Sequence, residues 1–160
     1  MAFSLPLVSA HAPRRFDSSA AAYDFVAAAS LHADMVELDV NRTSDGVLIL
    51  SHDFMYGARP VHHTPFSAFD DPPLLSHALS VLTSAVPHID VKCADAPAVA
   101  RFVASVYPHR FVMTVTDPRS VDELVSLRTR FGVPVTVGLS LPASSISPGL
   151  VSRSRTYASQ

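Results

Sequence analysis

Apolar and polar positions follow two rhythms along this chain. Short runs dense in apolar and β-branched residues fall at 4–10 (SLPLVSA), 35–40 (MVELDV), 46–52 (GVLILSH), 88–92 (HIDVK), 110–116 (RFVMTVT) and 133–141 (VPVTVGLSL). Their length and content predict six strands. Longer stretches between them predict helices at 17–33, 72–86, 95–107 and 117–131. Asp17 and Ser18 open the first of these, prolines occupy the first turn of the second, and Asp95 caps the third. Asp117 at the N-cap, Pro118 at N1 and Gly132 after the last turn bound the fourth. Asp45-Gly46 joins the second and third strands by a tight turn. Residues 54–72 hold Gly57, Pro60, Pro65 and Pro72 and read as a functional or insertion loop.

Strands that alternate with helices, and that are apolar throughout, indicate a parallel sheet covered by helices, either doubly wound or a barrel. One domain over residues 1–141 is expected, followed by a disordered tail at 142–160, which is rich in Ser, Pro and Arg and has no periodicity.

Composition narrows the function classes. The formal net charge of the 160-residue chain is −2, and no block of Lys and Arg exceeds two residues. Neither nucleic acid nor an anionic membrane finds a partner there. One cysteine, Cys93, excludes an internal disulfide and a Cys-rich metal centre. The apolar N-terminus lacks a basic leader region and reads as the first strand, and no run is long enough to span a membrane. A cytoplasmic setting is the expectation. No Gly-rich loop follows the first strand, so a dinucleotide fold or a P-loop has no support.

The chemistry concentrates at the strand ends. Glu37 and Asp39 are two residues apart on one strand and so share a face, and Asp90 and Lys92 repeat that spacing on another. In a parallel sheet the carboxyl ends of the strands lie on one edge, where α/β sites are built. His11, Glu37, Asp39, His52, Asp90 and Lys92 all fall at or near that edge. Three converging carboxylates repel one another unless a cation joins them, and an all-oxygen set suits Mg²⁺ or Ca²⁺. Two flanking histidines can act as acid and base near neutral pH. The other histidines are read as structural: His32 at an exposed helix end, His77 on a helix face, His62 and His63 in a solvated loop, and His88 and His109 at strand entrances. Cys93 lies near the site edge without a partner that would make it a nucleophile.

The segments "VSAHA", "VELDVNRTSDGVLILSHD", "LLSHALSVL" and "HIDVK", in this order and spacing, resemble the glycerophosphodiester phosphodiesterase family. "FVMTVTDPRSVDELVSL" and "VPVTVGLS" resemble the strand-helix-strand that follows in that family. The resemblance runs over about residues 7–141 and implies a TIM-barrel-type parallel sheet, here incomplete at about six of eight strands. It implies metal-dependent hydrolysis of a small-molecule glycerophosphodiester to an alcohol and glycerol phosphate. It implies that His11 and His52 form the acid/base pair, that Glu37, Asp39 and Asp90 bind the divalent cation, and that Lys92 contacts phosphate. Related sphingomyelinase D-like enzymes often carry aspartate at the third ligand position, as Asp90 does.

Two departures qualify this. The family's first histidine is usually followed by Arg-Gly, whereas here Ala12-Pro13 follow His11, leaving Arg14 or Arg15 as the substitute phosphate contact. Six strands cannot close an eight-stranded barrel, so the first and sixth would lack neighbours and leave apolar inward faces wet. The last run, VPVTVGLSL, has no charge to blunt an open edge. Self-association through open barrel edges, or a fragment of a longer barrel, is expected ahead of a tail folded over the gap. The competing function is a degenerate barrel that binds a phosphodiester or a partner protein without turnover.

Overall fold

Ladder pairing sets the frame of the molecule. The computed structural model describes residues 8–140. Five strands run parallel in the order of the chain: β1 (Ser9–His11), β2 (Met35–Arg42), β6 (Val86–Val91), β7 (Phe111–Val115) and β8 (Val135–Leu139). A sixth member of the sheet, β3 (Leu48–Leu50), pairs antiparallel with the end of β2. The architecture is that of an incomplete TIM-type barrel with a mostly parallel six-stranded sheet. The antiparallel course of β3 modifies the expected sheet, and the turn before it explains why. Gly46 takes φ +89, and the Thr43 hydroxyl accepts from Val47 N at 2.9 Å and donates to Asp45 Oδ1 at 2.6 Å. Hydrogen bonds from Thr43 and from the Phe66 amide hold the Asp45 carboxyl below the usual carboxylate range. The chain therefore doubles back beside β2, and Ser51 N reaches Asp39 O at 3.0 Å.

Helix boundaries follow the side-chain caps. α1 (Ser19–His32) starts after Ser18, whose hydroxyl accepts from Ala21 N. α3 (Ala96–Val106) is capped by Asp95, and α4 (Pro118–Phe131) by Asp117. Gly132 ends α4 at φ +67, a left-handed position that disfavours residues with a β-carbon. α2 (Leu75–Val81) is shorter than the expected 72–86. It lacks a side-chain cap, and Pro72 and Pro73 lie before its first turn rather than within it. Its expected end is taken by β6, because Val86 and Pro87 already pair with Met35 and Val36. The loop at 54–72 is also more ordered than expected. It contains a hairpin of β4 (Met55–Tyr56) and β5 (Arg59–Pro60), then two short 3-10 turns. The first residues of the expected strand 4–10 and the expected tail at 142–160 lie outside the described residues.

Alternation along the strands separates two faces. Val36, Leu38, Val40, Ile89, Val91, Phe111, Met113, Val115 and Val135 are buried. They form the core with Val26 of α1, Leu75 and Leu79 of α2, Val99 and Val103 of α3, and Leu124 of α4. The other face holds His11, Glu37, His88 and Val112 at one level and Asp39, Asp90 and Thr114 at the next, as the register aligns them. The inward faces are thus largely polar, not apolar as expected, because Glu37 and Asp39 in "VELDV" and His88 and Asp90 in "HIDVK" alternate with the apolar residues and share one face. Among the described residues, no helix is long and apolar enough to cross a membrane.

β8 is hydrogen-bonded to β7 on one side, with no partner on the other among the described residues. It carries no charge, and Leu139 is exposed. Unblunted edges of this kind pair with other chains. The expected outcome is a mass in sedimentation that rises through the micromolar range. A monomer whose 135–139 amides resist hydrogen exchange would show that the edge is covered within the chain.

Candidate active site

Parallel register, more than sequence proximity, assembles the site. Asp39 of β2 and Asp90 of β6 are direct partners, and Glu37 lies one pleat back on the same face as Asp39. One carboxylate oxygen from each of Glu37, Asp39 and Asp90 lies within 4.8 Å of the others. Asp39 is 4% exposed and Asp90 6%. Neither oxygen of the Asp39 carboxylate accepts a hydrogen bond within the described structure. Lys92 Nζ stands 3.1 Å from Asp39 Oδ1, an ion pair without hydrogen-bond alignment, and 2.6 Å from Asp90 Oδ2. Burial opposes the Lys92 ammonium, yet its contacts with Asp90 and Asp39 outweigh that and raise its pKa above the ordinary value. One ammonium among three carboxylates leaves excess negative charge in a shielded place. Buried carboxylate oxygens without donors are costly, and oxygen-only ligands suit a hard divalent cation. The residues present therefore fit such an ion.

His11 stands beside this cluster, and His52 lines a small cavity together with Asp39. His11 closes β1 opposite Glu37, with Nε2 3.4 Å from Glu37 Oε2 and Nδ1 2.6 Å from the Ala12 carbonyl. His52 follows β3, and its Nδ1 lies 2.8 Å from Asp53 Oδ1. A carboxylate only accepts, so this contact puts a proton on Nδ1 and leaves Nε2 free. The His52 bond and then the Arg14 guanidinium hold the Asp53 carboxyl below its usual range. Buried Asn41 donates to the carbonyls of Ser51 and Asp53 at 2.9 and 3.1 Å, and the Ser51 hydroxyl donates to the latter at 2.9 Å. These bonds fix the turn that presents His52. Sequence reasoning missed Asn41, although it continues the odd-numbered face of Glu37 and Asp39.

Arg14 Nη2 is engaged by Asp53 Oδ1 at 2.7 Å, and Arg15 lies over the Tyr56 ring at 5.9 Å. Both therefore stand along the β1–α1 loop, near the chain that leads into the 55–60 hairpin. His88 is a second omission. Its expected place at a strand entrance is wrong: β6 begins at Val86, so His88 lies inside the strand on the face of Asp90. Its Nε2 is 3.0 Å from Thr114 Oγ1. Burial lowers the His88 pKa, against the opposing charges of Glu37 and Asp90. The period of two from Asp90 is the signal that could have found it. Of the other histidines, His77 stacks on Tyr23, His62 is tilted against His63, and His109 meets Tyr107 edge-on. Burial raises the pKa of the Cys93 thiol, which disfavours a nucleophilic thiolate.

Residues 17–117 match the profile of the "Glycerophosphoryl diester phosphodiesterase family". The chain belongs to this family. It is thereby placed among the phosphoric diester hydrolases. The matched span includes Glu37, Asp39, His52, Asp90 and Lys92, while His11, Arg14 and Arg15 precede it. No curated protein has a matching sequence. Solved glycerophosphodiester phosphodiesterases share the fold. A phosphodiesterase of Oleispira antarctica, solved in complex with the product sn-glycerol-3-phosphate, is 17% identical with a TM-score of 0.68, over 96% of this chain and 72% of that one. The Thermotoga maritima glycerophosphodiester phosphodiesterase is 16% identical with a TM-score of 0.63, again over 96% and 72%. The glycerophosphoryl diester phosphodiesterase domain of a Mycobacterium tuberculosis protein is 20% identical with a TM-score of 0.58, over 82% of this chain and 59% of that one.

Proposed function

We propose that the chain hydrolyses glycerophosphodiesters to an alcohol and glycerol phosphate, with a divalent cation, Mg²⁺ or Ca²⁺, held by Glu37, Asp39 and Asp90. The observation that carries this reading is the convergence of those carboxylates within 4.8 Å around the buried, donor-free Asp39. A bound cation would polarise a phosphoryl oxygen and offset charge that develops there. Lys92, already beside Asp39 and Asp90, is within the cluster to contact the phosphate. One histidine of the His11/His52 pair takes the proton from the attacking oxygen as the new P–O bond forms; that oxygen belongs to water, or to a substrate hydroxyl whose cyclic phosphate water then opens. The other delivers a proton to the departing alkoxide as the old P–O bond breaks. Asp53 orients His52 for this work by holding Nδ1. Arg14 and Arg15 follow His11 on the β1–α1 loop as further phosphate contacts, and phosphate binding by Arg14 would compete with its bond to Asp53.

The test is release of glycerol phosphate from glycerophosphodiesters after chelation and after return of Mg²⁺ or Ca²⁺. Hydrolysis that disappears with chelator and returns with the ion is expected. A second reading, binding without turnover, is favoured by Ala12-Pro13 after His11 and by a β8 edge without a partner among the described residues. Saturable phosphodiester binding with no product under any ion would establish it instead.

A further inference from the structure

Asp90 is held from two sides, and one of them leads to residues without a role so far. Its Oδ2 meets Lys92 Nζ at 2.6 Å, and its Oδ1 accepts from Thr114 Oγ1 at 2.8 Å. Thr114 is the register partner of Asp90 on β7, so its hydroxyl lies on the same face. A hydroxyl has one proton, and the carboxylate beside it only accepts. The Thr114 proton therefore goes to Asp90, and a lone pair is left for His88 Nε2 at 3.0 Å. His88 must carry a proton on Nε2, whether or not Nδ1 carries one as well. Gly138 on β8 completes the arrangement. A β-carbon there would lie 3.1 Å from Thr114 Cγ2, so the glycine leaves the threonine room for this rotamer.

We infer that His88 and Thr114 are positioning residues: His88 donates to Thr114, Thr114 donates to Asp90, and the chain fixes the Asp90 carboxylate toward Glu37 and Asp39. An aspartate has a short reach and two torsions, so one hydrogen bond to Oδ1 settles where Oδ2 points. The inference rests on the metal-assisted reading and deepens it. Hydrogen-bond partners behind a ligand shape affinity for the ion, because an untethered carboxylate must be ordered on binding.

Titration of the full chain with Mn²⁺, read by electron paramagnetic resonance, tests this without turnover. Thr114→Val and His88→Leu are expected to weaken Mn²⁺ binding by about 10- to 100-fold, with circular dichroism and melting curves like the parent's. Thr114→Ser and His88→Gln, which keep a hydroxyl and an N–H donor, should bind nearly as the parent does. Because His88 acts through Thr114, the double variant Thr114→Val/His88→Leu should bind no more weakly than Thr114→Val alone. A folded Thr114→Val with parental affinity, or additive losses in the double variant, overturns the relay. If Thr114→Val does not fold, His88→Leu against His88→Gln decides by the same comparison. A parent chain that binds no Mn²⁺ overturns the metal reading and the relay together, whereas parental binding with unaffected variants overturns the relay alone.

Discussion

Replacing His52 with alanine is expected to lower turnover by about 10²–10⁴-fold, the scale of a lost acid or base, and to leave the fold intact. The bonds that shape the 51–53 turn run from Asn41 and Ser51 to the carbonyls of Ser51 and Asp53, so none depends on the imidazole. His52 is only part-buried, and its loss opens no core cavity. What disappears is a ring whose Nδ1 is anchored on Asp53 and whose Nε2 is free to exchange a proton. His11→Ala should fall on the same scale, since its side chain is 61% exposed and faces Glu37 at the end of β1. Steady-state rates on a glycerophosphodiester check both. The pair can also be told apart. A substrate with an activated phenolate leaving group needs little protonation, so the variant whose activity recovers on it lacks the acid. Parental rates in either variant would remove that residue from the mechanism.

Local chemistry is why so much of the framework could be read ahead of the structure. Ser18, Asp95, Asp117 and Gly132 cap or end helices through bonds to backbone a few residues away, and each falls where its residue type predicts. Period-two spacing likewise put Glu37 with Asp39, and Asp90 with Lys92, on shared faces. Long-range pairing was not legible in the same way. The Asp45-Gly46 turn already pointed β3 back along β2, but which residues pair is given only by the ladder with Val40, Asn41 and Arg42. The start of β6 is set by Met35 across the sheet, not by its own residues. This two-residue extension moved His88 from the strand entrance to the level of Glu37. The hairpin at 55–60 was hidden by its Gly and Pro content, although Gly57 at φ +62 is what allows its turn. The polar inward face shares this origin. Each strand looks apolar as a whole, and the shared polar face becomes plain only when the register sets Glu37 beside His88 and Asp39 beside Asp90 and Thr114.

The same stacking makes Asp39 the residue whose loss should be most informative. Asp39→Asn keeps the shape of the side chain and removes its charge. Hydrolysis is expected to fall by at least about 10²-fold, the scale of a lost electrostatic stabiliser, because the cluster loses the buried carboxylate that accepts no hydrogen bond among the described residues. Stability in the presence of chelator should move the other way. Asp39 is buried beside two like charges, and Lys92 retains its 2.6 Å bond to Asp90 when the Asp39 charge is gone. Relief of that repulsion is expected to raise the unfolding free energy by about 0.5–2 kcal/mol, the range of single stabilising substitutions, whose recurrent cost is function. Urea unfolding under chelation, set beside the hydrolysis rate with ion restored, reads both effects in one variant. A structural aspartate would give the opposite pair, a destabilised protein with its activity retained, because Lys92 would then have lost a partner that the fold required. Only a carboxylate kept for a cation gains stability from its removal while losing function, and that opposition is what the geometry around Asp39 predicts.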